Sequence, residues 1–322
     1  LQAPLFVLWI INALRSGSLF YFSASNPSIP TGGMMGESKF DILEKVPDEV
    51  KPLTLRMTAT TSVEDVLKKI NDHRLTLPVI FKPDMGERGW MVRKIKTEQD
   101  IRQYLQQIKM DFIIQELVDL PLEYGVFYVR YPSEEKGNVV SVTGKEFLSV
   151  TGDGRSTLQQ LIFQKDRAVL QWPVLREKYA DQLSDVLPSG RSMELVSIGN
   201  HCLGTTFLNG QHLITDQMHD SFDRISKKIE GFYFGRYDLR CATVEDLQAG
   251  RVKIVELNGC GAEPAHIYHP GFSFWKALRV LIRHWQQMYR VSVENHQRGV
   301  PYLSFAEGKR IYHQFQSLQK SH

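Results

Sequence analysis

The stretch Lys253 to Pro264, KIVELNGCGAEP, taken with GRYDLR at Gly235 to Arg240, constrains this chain more than any other. Lys-Ile-Val-Glu-Leu is alternating and β-branched, the pattern of a strand, so Glu256 and Asn258, two apart, point to one face. Asp238 lies in a similar run, YDL, and the connection VEDLQAGRV carries Ala249-Gly250 as a turn signal, so a second strand can lie beside the first. Neighbouring strands would bring three oxygen donors, Asp238, Glu256 and Asn258, to one place. Such donors suit a hard cation such as Mg2+ (or Mn2+). A solvated sheet face is the alternative for this stretch taken alone.

With 322 residues, 42% of them hydrophobic and 23% charged, the chain is globular and has room for one large domain or two ordinary ones. Its 39 basic side chains against 36 acidic ones leave +3, too small an excess for a nucleic-acid footprint, so no nucleic-acid partner is expected. Cys202, Cys241 and Cys260 are odd in number and widely spaced, which suggests neither a disulfide framework nor a zinc pattern. A reducing, cytoplasmic setting fits.

Near the start, Leu5 to Leu14 is an almost unbroken apolar run ending before Arg15. As a helix it rises about 15 Å, short of the roughly 30 Å hydrocarbon core. It offers peripheral membrane contact, with Trp9 at headgroup level and Arg15 at the boundary; a core helix or the remnant of a longer hydrophobic leader is the alternative. Leu19 to Ser23 reads as a buried strand. Ser62 starts a helix with Asp65 completing a near capping box.

Leu77 to Pro83 reads as a strand leading into Asp84-Met-Gly-Glu-Arg-Gly. Gly86 and Gly89 let this loop turn tightly and bring N–H groups against an anion, while Lys82 enters from the strand end as a point charge. That suits a phosphate, although no Walker sequence is present and a plain turn has the same composition. Strands are expected from Phe112 to Val118 and from Leu122 to Tyr131, with Glu116 and Glu123 at the edge of an apolar crevice or, alternatively, as surface glutamates. Thr157 or Ser156 can cap a helix at Leu158 to Phe163. Asp166 to Leu187 reads as helix interrupted at Pro173, Val196 to Phe207 as strand, turn and strand, and Trp275 to Tyr289 as an amphipathic helix.

Strands and helices mix without regular βαβ alternation, which predicts an α+β fold and excludes a Rossmann or barrel arrangement. The order of Lys82 with its Gly-rich loop, Gln-Glu-Leu-Val, Glu123, Arg-x-Asp and Glu-x-Asn resembles the ATP-grasp superfamily, within it the D-alanine–D-alanine ligase and cyanophycin synthetase-like branches. The resemblance covers about Glu37 to Tyr289. It implies two α+β lobes clamping ATP, with a shortened N-terminal region: an apolar segment and loop over 1–38, a first lobe over 39–122, a catalytic lobe over 123–290 and a tail over 291–322.

The same resemblance assigns roles. Lys82 and Lys39 meet the ATP phosphates, and Gly86, Arg88 and Gly89 belong to a mobile loop closing over them. Glu116, Leu117 and Val118 form a hinge whose backbone pairs with adenine, and Glu123 meets the ribose. Asp238, Glu256 and Asn258 are similar to the magnesium ligands, and Arg236 to the arginine that steadies the transferred phosphate and acyl intermediate. Gly-Asp-Gly-Arg-Ser-Thr at 152–157 and Gly-Asn-His at 199–201 are similar to cyanophycin synthetase-type sequences.

The implied activity is an ATP-dependent carboxylate–amine ligase acting on a small-molecule carboxylate and amine. A carboxylate takes the γ-phosphate, an amine displaces it, and an amide, ADP and phosphate result. Gly259 and Gly261 could hold the acyl oxygen through their backbone, Glu263 and His266 could meet the amine, and Arg240 could bind a substrate carboxylate. Asn-Gly-Cys-Gly-Ala-Glu-Pro differs from the Asn-Thr-x-Pro-Gly of D-alanine ligases, so a different amine pocket is expected. The alternatives are an ATP-grasp small-molecule kinase and a non-catalytic nucleotide-binding module attached to a membrane.

Overall fold

Antiparallel pairing organises both larger sheets of this computed structural model, which describes residues 2–86, 89–196 and 204–320. The strands are β1 Thr54–Met57, β2 Val79–Pro83, β3 Arg93–Ile95, β4 Phe112–Glu116, β5 Leu122–Val129, β6 Asn138–Glu146, β7 Ser149–Thr151, β8 Ser192–Glu194, β9 Thr206–Asn209, β10 Phe234–Cys241 and β11 Lys253–Asn258. The α+β class expected from the sequence is the one that forms. Two compact units result, one of residues 1–144 and 209–322, the other of residues 145–208.

In the larger unit the first sheet runs β1-β4-β2-β3. Helices Val63–Asp72 and Glu98–Gln107 each start at a capping box, Ser62 with Asp65 and Thr97 with Asp100, which satisfies amide groups the first turn cannot pair internally. Their apolar sides cover one face of the sheet, where Val66, Ile70, Ile101 and Tyr104 pack on Val79, Phe81, Phe112 and Ile114. Strand alternation therefore turns Lys82, next to Phe81, and Gln115, next to Ile114, to the other face.

The second sheet places β11, β10, β5 and β6 side by side in that order. Its core face carries Val126, Tyr128, Tyr237, Leu239, Ile254 and Leu257 beneath helix Asp216–Lys227. Ile254 and Leu257 are three apart and both in the core, which an unbroken strand cannot arrange. The register explains it: Leu239 faces Ile254 while Asp238 faces Glu256, so Val255 is an extra residue, a β-bulge. On the opposite face, helix Phe274–Gln297 brings His284 against the rings of Phe127 and Phe234.

The smaller unit pairs β7 with β8 around Leu148, Val150, Leu161, Ile162, Leu175 and Leu195. Thr157 caps helix Leu158–Phe163 as expected. The helical run is interrupted just before Pro173, as expected: Asp166–Val169 ends and Trp172–Lys178 begins with Pro173 in its first turn, where the amide that proline lacks would be unpaired.

Three local expectations change. Leu19 to Ser23 is no strand; Tyr21–Ser25 is a 3-10 turn whose Tyr21 and Phe22 are buried against Met288 and Val291, so apolar content came from helix packing and not a sheet. The β10–β11 connection contains a helix, Val244–Ala249, capped by Thr243 and closed by Gly250 in the left-handed region. Helix Phe274–Gln297 also extends two turns beyond Tyr289. Among the described residues no helix is long and apolar enough to cross a membrane.

Candidate active site

Arg236 faces Asn258 and Asp238 faces Glu256 across the β10–β11 ladder. All four side chains therefore share one sheet face. Arg236 grips its own neighbour, Nε to Asp238 Oδ1 at 3.3 Å and Nη2 to Oδ2 at 3.0 Å, and Asn258 Nδ2 donates to the same Oδ2 at 3.0 Å. Burial opposes the charge of Arg236, but Asp238 outweighs it and the guanidinium is held above its ordinary value. Room for this pair comes from Gly125, opposite Asp238 on β5: a Cβ there would stand 3.3 Å from Arg236 Cδ and 3.4 Å from Asp238 Oδ1. Sequence reasoning passed over Gly125, whose only signal is a glycine inside a strand.

Lys82 reaches this face from the first sheet. Its Nζ donates to the Val255 carbonyl at 3.0 Å and to Gln115 Oε1 at 3.1 Å, and Gln115 Nε2 also donates to the Val255 carbonyl at 3.3 Å. The bulge frees that carbonyl from the ladder, and the lysine and glutamine take it up. Burial pulls the Lys82 ammonium down to about 8, nearby Lys39 pulls the same way, and Glu256 and Asp238 resist. From sequence, Gln115 enters only as the first residue of Gln-Glu-Leu-Val, with no role of its own, and the bulge has no signal.

Lys39 begins the short helix Lys39–Leu43 and its Nζ donates to the Gly86 carbonyl. Asp84, 1% exposed, fastens the loop to this helix: Oδ1 accepts from Ser38 Oγ and Phe40 N, both at 2.9 Å, and the Asp84 carbonyl accepts from Lys39 N at 3.0 Å. Gly86 and Gly89 both have positive φ. Arg88 lies outside the described residues, as do Gly199, Asn200 and His201.

The segment assigned to adenine is tied at both ends. Glu116 exchanges two hydrogen bonds with Leu53, N to O at 2.8 Å and Oε2 from the Leu53 amide at 3.1 Å. Leu117 is half-buried and Val118 buried. Arg240 donates through Nη1 to the carbonyls of Val118 and Leu120, at 3.3 and 3.4 Å, and grips Glu123 Oε2 with Nε and Nη2, both at 3.0 Å. Arg240, expected from sequence on a substrate carboxylate, is thus bonded to a carboxylate of the protein.

After Asn258 three successive backbone amides are occupied. Cys260 N donates to Gly32 O at 3.0 Å, Gly261 N to Gly33 O at 2.9 Å and Ala262 N to Gly259 O at 3.1 Å. A Cβ on Gly259 would run into the Gly32 carbonyl and the Gly33 Cα, and one on Gly261 into Met34 O at 2.9 Å, so both glycines permit close approach of two backbones. Asn26 fixes the same junction: Nδ2 donates to Gly32 O and Phe234 O, and Oδ1 accepts from the amides of Tyr233 and Phe234. Cys260 and Cys241 are buried free thiols, pushed up by burial to about 12 and about 11.

Beyond the glycines, the Glu263 carbonyl accepts from Arg236 Nη1 at 3.2 Å and its carboxylate from Tyr268 Oη at 2.6 Å. Burial and this carboxylate push the Tyr268 phenol up. His266, 3% exposed, lies 2.6 Å through Nδ1 from Ser141 Oγ, and burial lowers it to about 4. Tyr268 and Ser141 are further residues that sequence did not mark.

Among the described residues no group of three His, Cys, Asp or Glu side chains is poised to hold a metal. The trio on β10 and β11 is two carboxylates and an amide, an all-oxygen set whose hard donors fit a small divalent ion.

No family model matches the chain, and no curated protein sequence does. Among solved structures it is similar to a bifunctional glutathione synthetase from Pasteurella multocida, at 14% identity over 80% of this chain and 38% of that one, with a TM-score of 0.37. It is also similar to D-alanine–D-alanine ligases from Bacillus anthracis (10% identity, 88% and 72% covered, TM-score 0.45) and Coxiella burnetii (9% identity, 84% and 61% covered, TM-score 0.47). The chain thus spans well under half of the synthetase.

Proposed function

We propose that this chain is an ATP-grasp carboxylate–amine ligase that forms an amide through an acyl phosphate, using ATP with Mg2+ (or Mn2+). One observation carries the proposal: Arg236, Asp238, Glu256 and Asn258 share a sheet face, and buried Lys82 is delivered to the bulge beside them. Three cations, Lys39, Lys82 and Arg236, meet two carboxylates there. This balance suits a polyphosphate bound with a divalent ion.

Lys82 and Lys39 meet the phosphates, and the loop through Gly86 and Gly89 covers them. Arg240 presents Glu123 to the ribose and holds the carbonyls of Val118 and Leu120 in place beside the adenine. Asp238, Glu256 and Asn258 would hold the metal, which when bound neutralises phosphate oxygens as the γ-phosphoryl transfers to the carboxylate. Arg236, braced by Asp238 and the Glu263 carbonyl, faces the charge that develops on that phosphoryl group. Glu263 with Tyr268 receives the amine as its ammonium, and neutral His266, steadied by Ser141, offers it a hydrogen-bond partner.

Screening amino acids and dipeptides in pairs for ADP release with Mg2+, with mass spectrometry of the products, tests this reading. ADP and a new amide are expected for one pairing. ADP with a phosphorylated product and no amide would assign a kinase, and ATP binding without ADP under any pairing would remove turnover altogether.

A further inference from the structure

Helix Gln2–Ser16 buries one side and leaves the other apolar. Leu5 packs with Ile267, Ala277 and Leu281, and Ala13 with Tyr21, Met288 and Val291, which seats the helix along Phe274–Gln297. The Arg15 guanidinium lies 4.9 Å from the Tyr289 ring centroid. Facing outward are Phe6, Val7, Ile10, Ile11 and Leu14, from 40% to 79% exposed. Their spacing puts them on one face, and no exposed polar side chain interrupts them. A helix side turned to water normally carries polar residues, and a continuous apolar patch marks a surface meant to be covered.

The neighbouring helix says what covers it. At its start Phe274 and Trp275 are 52% and 74% exposed. Along its outer side Lys276, Arg279 and Arg283 are exposed, and no ion pair holds any of them among the described residues. The helix has no acidic residue before Glu294. An apolar partner protein or a second copy would satisfy the Phe6–Leu14 face but not three unpaired cations exposed on the helix it packs against. A lipid surface satisfies both, since acyl chains take the apolar face, anionic headgroups take the cations, and tryptophan favours the boundary.

We propose that these two helices dock the protein on an anionic bilayer. Gln2–Ser16 lies in the plane of the interface with its Phe6–Leu14 face in the acyl boundary. Trp275 sits at the headgroups, and Lys276, Arg279 and Arg283 contact lipid phosphates. The docking is independent of the chemistry assigned to the nucleotide site.

Flotation with phosphatidylcholine vesicles, with and without 30–40% phosphatidylserine (roughly a physiological anionic leaflet), tests the proposal on the whole chain. The protein should float with the anionic vesicles, less at high salt, and the Phe6→Glu/Ile10→Glu/Leu14→Glu variant should stay at the bottom. Arg279→Gln/Arg283→Gln should weaken anionic binding by about fivefold per charge removed. All five positions are exposed, and circular dichroism checks that each variant keeps the wild-type fold. Failure of the wild type to float with either vesicle overturns the proposal. So does equal flotation with both vesicle types, which removes the charge recognition, or a concentration-dependent dimer abolished by the triple variant without vesicle binding, which assigns the face to a second copy.

Discussion

Arg236 and Arg240 leave β10 on the same sheet face, each grips a buried carboxylate in two-point fashion, and their side chains are 23% and 20% exposed. Burial does not separate them; the company of each carboxylate does. Glu123 stands directly opposite Arg240, which also donates to the Val118 and Leu120 carbonyls, so these bonds tie a strand end to a loop. Asp238 is shared between Arg236 and Asn258 and faces Glu256, and these two carboxylates act on Lys82 more strongly than Glu123 does. The first arrangement is a brace. The second has charges beyond its own pairing, which is where a charged ligand has something to bind.

The sharpest way to break this comparison is at Glu256. Glu256→Gln keeps shape but removes one proposed metal charge, and turnover should fall by about a thousandfold or more with an unchanged circular dichroism spectrum. Retained activity would remove Glu256 from the metal site. At the brace the expected loss is of stability instead. Arg240→Ala leaves Glu123 buried without its cation and should cost about 3–5 kcal/mol in urea denaturation, with Glu123→Leu added restoring part of it. A cost below about 1 kcal/mol would class this pair with exposed ones.

Gly125→Ala probes the other pair without touching a charge. Its Cβ crowds Arg236 and Asp238, so turnover should drop about tenfold while stability changes by less than about 1 kcal/mol. A normal rate would show that Arg236 has slack.

The smallest effect is a proton count. Burial holds Lys82 at about 8 in the free protein, below its ordinary 10.5. The unfolded chain therefore binds this proton more tightly, so the lysine's cost to stability is full below about pH 8 and is relieved as pH rises toward 10.5. A polyphosphate favours the ammonium, and nucleotide binding at pH 8 should take up about half a proton. Calorimetry in buffers of different ionisation enthalpy measures it, and Lys82→Arg should abolish the uptake.

Much of this site was legible where chemistry follows local pattern. The strand-like runs Lys-Ile-Val-Glu-Leu and Tyr-Asp-Leu put Asp238, Glu256 and Asn258 on neighbouring strands, and they do share a face. Ser62 and Thr157 carry their capping partners three residues on, so those helix starts could be read directly. Glycine was ambiguous. Gly259 and Gly261 suggested a backbone open to substrate, but a residue without Cβ equally permits the close approach to Gly32 and Gly33, and only the fold decides. Arg240 and Glu123 are distant in sequence, and nothing local announces their pairing. The aromatic run at Leu19 to Ser23 has the composition of a strand, and its burial by a helix is a tertiary fact.

The bulge at Val255 has a consequence for which changes the chain can accept. Because one extra residue separates Ile254 from Leu257, strand parity before the bulge differs from parity after it. Substituting Val255 leaves that count intact and keeps the carbonyl that Lys82 and Gln115 bond. Deleting it would turn Glu256 and Asn258 into the core or expel Ile254 from it. In the idiom of a reading frame, β11 tolerates missense at this position and does not tolerate a frameshift.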